Sequence, residues 1–238
     1  MRLNKFLSQA GVASRRRADM LISEGHVAVN GQIVTELGTQ IDETKDKISV
    51  DGKETRVVEK HTYLILHKPV SYLVTRSDQF GRPTVLDLVG KYRLIVKPVG
   101  RLDLNSSGLL LMTDDGELAF RLTHPRFKID KTYQTKCEGL LNDDEIAKFE
   151  RGIELHDGIT APAKIELLSR TEHFSNFRIT IHEGRKRQIR MMCQAIGHPV
   201  ISLKRLTFGN LSLGELKSGI YRLLTDLEIA SLKRLVGL

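Results

Sequence analysis

Cysteine is almost missing from this 238-residue chain: Cys137 and Cys193 are the two, too far apart to form a CxxC pair. That argues against a disulfide framework. Eight histidines are scattered without the spacing of a structural zinc site. No stretch approaches the roughly 18 consecutive apolar residues of a membrane helix. The opening Met1-Arg-Leu-Asn-Lys-Phe-Leu-Ser lacks the layered pattern of a signal peptide. There is no internal repeat, low-complexity tract or nucleotide-binding motif. These absences lead us to expect a cytoplasmic protein with no membrane segment, no metal and no small-molecule cofactor. With 40% hydrophobic and 28% charged residues there is enough apolar material for a core, so wholesale disorder is excluded. The length suits one large domain or two unequal ones.

Charge is present in excess and is unevenly placed. The net charge is +8, with 37 Lys and Arg against 29 acids. Residues 1–35, with Arg2, Lys5, Arg15, Arg16 and Arg17 against two acids, contribute +3; residues 181–206, with Arg185, Lys186, Arg187, Arg190, Lys204 and Arg205 against Glu183, contribute +5. The rest is neutral. Solvated faces would scatter the excess, whereas two concentrations point to a polyanionic partner.

The first fifty residues have the pattern of a small α/β unit. Leu3, Phe6, Leu7 and Ala10 share one face of a short helix ended by Gly11. Ser14 is placed to cap a second helix running to about Glu24, with Ala18, Leu21 and Ile22 as its apolar stripe and Gly25 as its stop. Asn30-Gly31 between two short apolar runs is a hairpin signal, and Lys47–Val50 closes the unit on Asp51-Gly52. Arg15, Arg16 and Arg17 fall in the first turn of the second helix, where cations oppose the helix dipole. They serve something other than helix stability, and phosphate suits guanidinium forks at a helix end. Arg2-Leu-Asn-Lys-Phe-Leu7, Gly11-Val-Ala-Ser-Arg-Arg16 and Gly25-His-Val-Ala-Val-Asn-Gly31 resemble the S4 RNA-binding domain. The resemblance implies that Arg2, Lys5, Ser14, Arg15, Arg16, Arg17 and Asn30 contact RNA.

Residues 52–61 are charged and aperiodic (Lys53, Glu54, Arg56, Glu59 and Lys60) and are expected to be a linker between a domain at 1–51 and another at 62–238. The second region alternates strands and helices. Strands are expected at Thr62–Leu66, Gly108–Met112, Thr132–Cys137 and Phe177–Ile181. Helices are expected at Val85–Val89 (capped by Thr84), Asn142–Arg151, Arg185–Ile196 and after Thr225-Asp-Leu-Glu228, a capping box. The class is α+β.

A polar, glycine-bounded loop, Gly100-Arg-Leu-Asp103-Leu-Asn-Ser106-Ser-Gly108, stands directly before an apolar strand. Loops held by rigid strands are favoured places for catalytic groups, although an isolated Asp there could merely cap a turn. The segment resembles the signature of pseudouridine synthases, in particular the RsuA/RluB family of ribosomal RNA pseudouridine synthases. Lys68-Pro69, then Gly81-Arg-Pro-Thr-Val-Leu-Asp87, then Lys131-Thr-Tyr133, then Glu183-Gly-Arg-Lys-Arg-Gln-Ile-Arg190-Met follow in the family's order. Ser106 stands where Thr is common, and Met191 where many members have a second Arg.

That resemblance implies an S4 domain followed by a catalytic domain with a mixed, mainly antiparallel sheet flanked by helices. It implies Asp103 as the essential carboxylate, attacking ribose C1′ or uracil C6, and Tyr133 stacking on uracil or helping to remove the C5 proton. Arg190 is expected to pair with the carboxylate, while Arg101, Arg185, Lys186 and Arg187 grip RNA. Isomerising uridine to pseudouridine conserves all atoms, so no cofactor is required. The partner is expected to be ribosomal RNA of the large subunit, free or in assembly intermediates, and the chain a monomer. A synthase acting on small-subunit RNA, a non-catalytic S4 assembly factor and a DNA-binding regulator are the alternatives. The last would leave the second domain unexplained.

Overall fold

The computed structural model describes residues 1–56 and 60–238. They form two compact units, one of Met1–His61 with Asp114–Gly116 and one of Thr62–Thr113 with Glu117–Leu238.

In the first unit, helix α1 (Leu3–Gln9) and helix α2 (Arg15–Ser23) pack beside a four-stranded antiparallel sheet in the order β2-β1-β3-β4. Its strands are β1 (Val27–Val29), β2 (Gln32–Ile33), β3 (Ile48–Val50) and β4 (Lys53–Thr55). Ser14 Oγ accepts from Arg17 N and caps α2 as its sequence position dictates, a contact generally contributing about 1 kcal/mol. Leu3, Phe6, Leu7, Ala18, Ile22, Val27 and Ile48 close the core. Asn30 and Gly31 both have positive φ, as a type I′ hairpin requires. Asp51 and Gly52 repeat that geometry and turn the chain into β4, which pairs residue for residue with β3. Lys53–Thr55 is therefore a strand rather than the start of a linker. Its charged side chains hid it, because an edge strand with one solvated face needs few apolar residues. Glu59, also assigned to that linker, lies outside the described residues.

The second unit contains β5 (Tyr63–Lys68), β6 (Lys97–Pro98), β7 (Ser107–Thr113), α3 (Gly116–Thr123), β8 (Lys131–Glu138), α4 (Asp143–Arg151), β9 (Glu154–Leu155), β10 (Gly158–Ile159), β11 (Lys164–Arg170), β12 (Phe174–Ile181), α5 (Gln188–Ala195), β13 (Val200–Phe208), β14 (Leu211–Ser212), β15 (Tyr221–Leu223) and α6 (Asp226–Leu235). The main sheet runs β11-β12-β8-β13-β7-β5-β15, with β6 and β14 added at β7 and β13. Its pairs are antiparallel except β13–β7.

Both faces of the centre are covered. Leu64, Leu66, Leu110 and Met112 point to a core shared with Phe149, Ile189 and Met192; Tyr63, Ile65, Leu109 and Leu111 point to one shared with Leu118, Leu122 and Leu232. This is why β5 and β7 are continuous apolar runs rather than alternating ones. Cys137 and Cys193 are free and buried in the first of these cores.

The parallel junction joins Lys204 to Ser107 and Arg205 to Gly108. Gly108 has φ +111°, and a Cβ there would lie 2.2 Å from the Arg205 carbonyl oxygen. Only glycine lets the two strands meet, immediately after the loop that carries Asp103.

Helix α5 begins at Gln188 rather than Arg185, because Arg187 adopts the left-handed conformation (φ 54°). The preceding residues are tied instead to Glu183, whose carboxylate accepts from Ala161 N (3.0 Å), Arg185 Nε (3.3 Å) and Gln188 Nε2 (2.5 Å).

Candidate active site

Asp103 sits half-buried in the loop between β6 and β7. Two cations fasten that loop through its main chain. Lys68, at the end of β5, is fully buried, and its Nζ donates to the carbonyl oxygens of Ser106 (2.8 Å), Pro69 (2.9 Å) and Asp103 (3.1 Å). An ammonium without a carboxylate partner survives in such a place only because carbonyl dipoles replace its water. Burial pulls its pKa down to about 8, against the opposing pull of the Asp103 charge.

Arg190, on α5, donates Nη2 to Asn105 O (2.8 Å) and Nη1 to Val200 O (3.2 Å). The expected ion pair with Asp103 is not formed: the guanidinium grips the carbonyl two residues further along the loop. Asp103 is still near enough for its charge to favour the protonated guanidinium, against the larger effect of burial, which lowers the Arg190 pKa. Arg190 thus holds the position of the carboxylate through the backbone.

The loop opens on a cleft of about 410 Å³, within the usual range for small-ligand sites. Asp103, Tyr133, Arg101, Arg185 and Arg187 all line it. Lys186 is exposed outside it. Tyr133, 8% exposed, lies on β8 directly across from Arg205 of β13. Lys131, two residues before Tyr133, also lines the cleft; burial first and the nearby Arg205 charge second push its pKa down to about 8.

Several expected RNA contacts are otherwise engaged. Arg185 donates to Gly158 O (2.8 Å), Asp157 (3.3 Å), Ile159 O and Glu183, so its guanidinium ties the β9–β10 hairpin to the cleft wall instead of standing free for phosphate. Arg187, two residues on, is exposed at the rim. In the first unit the Ser14 hydroxyl is the α2 cap, and Asn30 is held by Asp46 (2.8 Å) and Lys47 N (2.9 Å). Arg2, Arg15, Arg16 and Arg17 are exposed and Lys5 is half-buried.

Two residues of the site have no role assigned from sequence, although Lys68 opens the first family motif. Lys68 had a usable signal, a lysine closing an otherwise apolar buried strand. Arg205 had none, since β13 is a mixed run in which nothing marks residue 205 as inward. It is 2% exposed and donates Nε to Leu109 O at 2.7 Å, while its buried Nη2 has no partner among the described residues.

Residues 62–195 match the family described as RNA pseudouridylate synthase, and residues 1–48 match the S4 domain. The chain belongs to the RNA pseudouridylate synthase family, in the form that carries an S4 domain in front. It is 46% identical over 236 residues to the ribosomal large subunit pseudouridine synthase B of Bacillus subtilis, covering 98% of this chain and 96% of that one. It is 44% identical to an uncharacterized RNA pseudouridine synthase of Aquifex aeolicus, over 100% of this chain and 96% of the other. A crystal structure of a pseudouridylate synthase superposes with TM-score 0.71 at 32% identity, covering 98% and 99% of the two chains. No described helix is long and apolar enough to cross a membrane.

Proposed function

We propose that this chain converts one uridine of large-subunit ribosomal RNA to pseudouridine, with Asp103 as the catalytic carboxylate. The observation that carries this reading is the carboxylate itself: it opens on a nucleoside-sized cleft that Tyr133 also lines, while the buried Lys68 and the half-buried Arg190 hold its loop through main-chain carbonyls. The large-subunit assignment rests on the name of the Bacillus subtilis relative and on the segments Gly81–Val89 and Leu122-Thr-His-Pro-Arg-Phe127, which resemble the branch of the family acting on the large subunit.

In the reaction the N1–C1′ bond breaks, the uracil turns, and C5 joins C1′; the C5 proton leaves and N1 gains a proton. Asp103 attacks C1′ or C6 and is released unchanged. Tyr133 packs on the uracil and stands near C5. Arg190 and Lys68 are positioning residues, which hold the carboxylate through Asn105, Ser106 and its own carbonyl. The target uridine must be flipped from its stack to enter the cleft. Arg187 and Arg101 grip the backbone around it, and the arginines at the start of α2 hold the RNA at a second place. The chain works as a monomer in the cytoplasm.

The test is chemical mapping of pseudouridines in unmodified ribosomal RNA treated with the protein and with Asp103→Asn. A single new pseudouridine in large-subunit RNA from the former and none from the latter is expected. RNA binding without any modification would sink the proposal, and a product confined to small-subunit RNA would overturn its substrate.

A further inference from the structure

The loop from Thr75 to Pro83 ends in a feature that the reaction does not use. Phe80 is 72% exposed. It is also the one aromatic in a stretch of Arg, Ser, Asp, Gln, Gly and Pro. An isolated apolar side chain at a surface is ordinary, but this one is held in place. The Asp78 side chain is 8% exposed and accepts from Phe80 N (3.0 Å) and Arg82 N (2.9 Å), and the Arg82 guanidinium closes on it at 2.7 Å. These bonds, the one from the Arg82 side chain first, hold the Asp78 carboxyl down at about 2, so it is ionised throughout the physiological range. The same Arg82 guanidinium lies 5.1 Å from the centre of the Phe80 ring. One face is thus backed by a cation while much of the ring remains open to solvent.

The root of the loop is equally determined. Leu73 N donates to Pro83 O and Val85 N to Leu73 O, both at 2.9 Å. Ser71 N donates to Leu104 O at 2.9 Å, and Leu104 is the residue after Asp103. The ring therefore projects from a stiff loop whose base is bonded to the catalytic segment itself.

We infer that Phe80 is a stacking platform for an unpaired base of the RNA, next to the nucleotide that enters the cleft. The inference rests on the RNA-modifying reading above. A flat, exposed aromatic backed by a guanidinium, with the exposed Arg76 in the same loop, matches what single-stranded nucleic acid offers, a π-face beside a phosphate. A protein partner would require a contiguous apolar core, and the polar loop supplies none.

The chain contains no tryptophan, so Phe80→Trp introduces a sole indole at the loop tip. In the Asp103→Asn background, which blocks turnover, it is titrated with an unmodified large-subunit ribosomal RNA transcript while anisotropy of the labelled transcript reports binding independently. Indole emission is expected to fall in step with binding. Phe80→Ala in the otherwise unchanged chain is expected to raise KM about 5- to 100-fold, the usual worth of one stacked base, with kcat unchanged and with Phe80→Tyr close to wild type. Indole emission that stays constant while anisotropy shows saturation overturns the inference and assigns the ring to another partner. Quenching without pseudouridine formation by the wild type would leave this surface standing and remove the proposed reaction. Modification without quenching does the reverse, and a chain that binds no RNA loses both.

Discussion

Two sets of cations in this protein have opposite surroundings. Lys68, Arg190 and Arg205, in the catalytic unit, direct their donors at the main-chain carbonyls of Asp103, Asn105, Ser106 and Leu109. Arg15, Arg16 and Arg17, in the S4 unit, stand exposed on the first turn of α2. Both sets enter a net-charge count equally, yet the first is internal scaffolding and the second faces solvent, with only Arg17, among the described residues, paired loosely to Glu24 at 3.9 Å. What separates them is where their hydrogen bonds go: a buried guanidinium or ammonium must find acceptors within the fold, whereas an exposed one is solvated until phosphate replaces water. Arg185 and Arg187 repeat the contrast two residues apart in one motif.

The comparison can be broken most severely at Gly108. Gly108→Ala would drive a Cβ to 2.2 Å from the Arg205 carbonyl oxygen at a positive φ. A loss of about 3 kcal/mol or more is expected, seen as a lowered denaturation midpoint and as loss of activity through separation of β7 from β13. Lys68→Met comes next. It leaves several loop carbonyls without a donor and should cost about 2–4 kcal/mol, with kcat falling even where the protein remains folded.

The pH dependence of Lys68 has a definite sign. Its folded pKa of about 8 lies below the ordinary 10.5, so between those values the folded chain holds fewer protons than the unfolded one. Stability attributable to this group therefore rises with pH across that window. Denaturation of wild type minus that of Lys68→Met from pH 7.5 to 10.5 should show the positive slope, and a flat difference would refute the assignment.

The paired arginines sharpen the contrast further. Arg185→Ala should lower thermal stability and leave the salt dependence of RNA binding unchanged. Arg187→Ala should leave stability unchanged and reduce the slope of log affinity against log salt by about 0.7–0.9. The smallest effect on chemistry is expected from the triple change of Arg15, Arg16 and Arg17 to Ala. It should weaken RNA binding and flatten that slope, with kcat at saturating RNA unaltered.

Much of the molecule was legible because its signals are local. The Ser14, Asn142 and Thr225 caps act within three residues. The Asn30-Gly31 turn is set by its own backbone preferences, and β5 and β7 announced themselves as unbroken apolar runs. The motif around Asp103 marked the carboxylate, and the family match covers the same segment. Strand β4 was missed although Asp51-Gly52 carries the same turn chemistry as Asn30-Gly31; its charged composition outweighed the turn. The start of α5 was misplaced because a left-handed Arg187 has no residue-type signature.

The amino-acid sequence alone determined which side chains exist to do chemistry: an Asp in a glycine-bounded loop, a Tyr two residues into a strand, and basic residues concentrated in two windows. Caps, turns and apolar runs follow from short-range sterics and burial, so they too were decided along the chain. Only the tertiary structure decided what each cation is for. Lys68 meets Ser106 across 38 residues, Arg190 meets Asn105 across 85, and Arg205 meets Leu109 across 96. A charge acquires its role from the acceptors that folding brings to it, and no local pattern records which carbonyls will arrive.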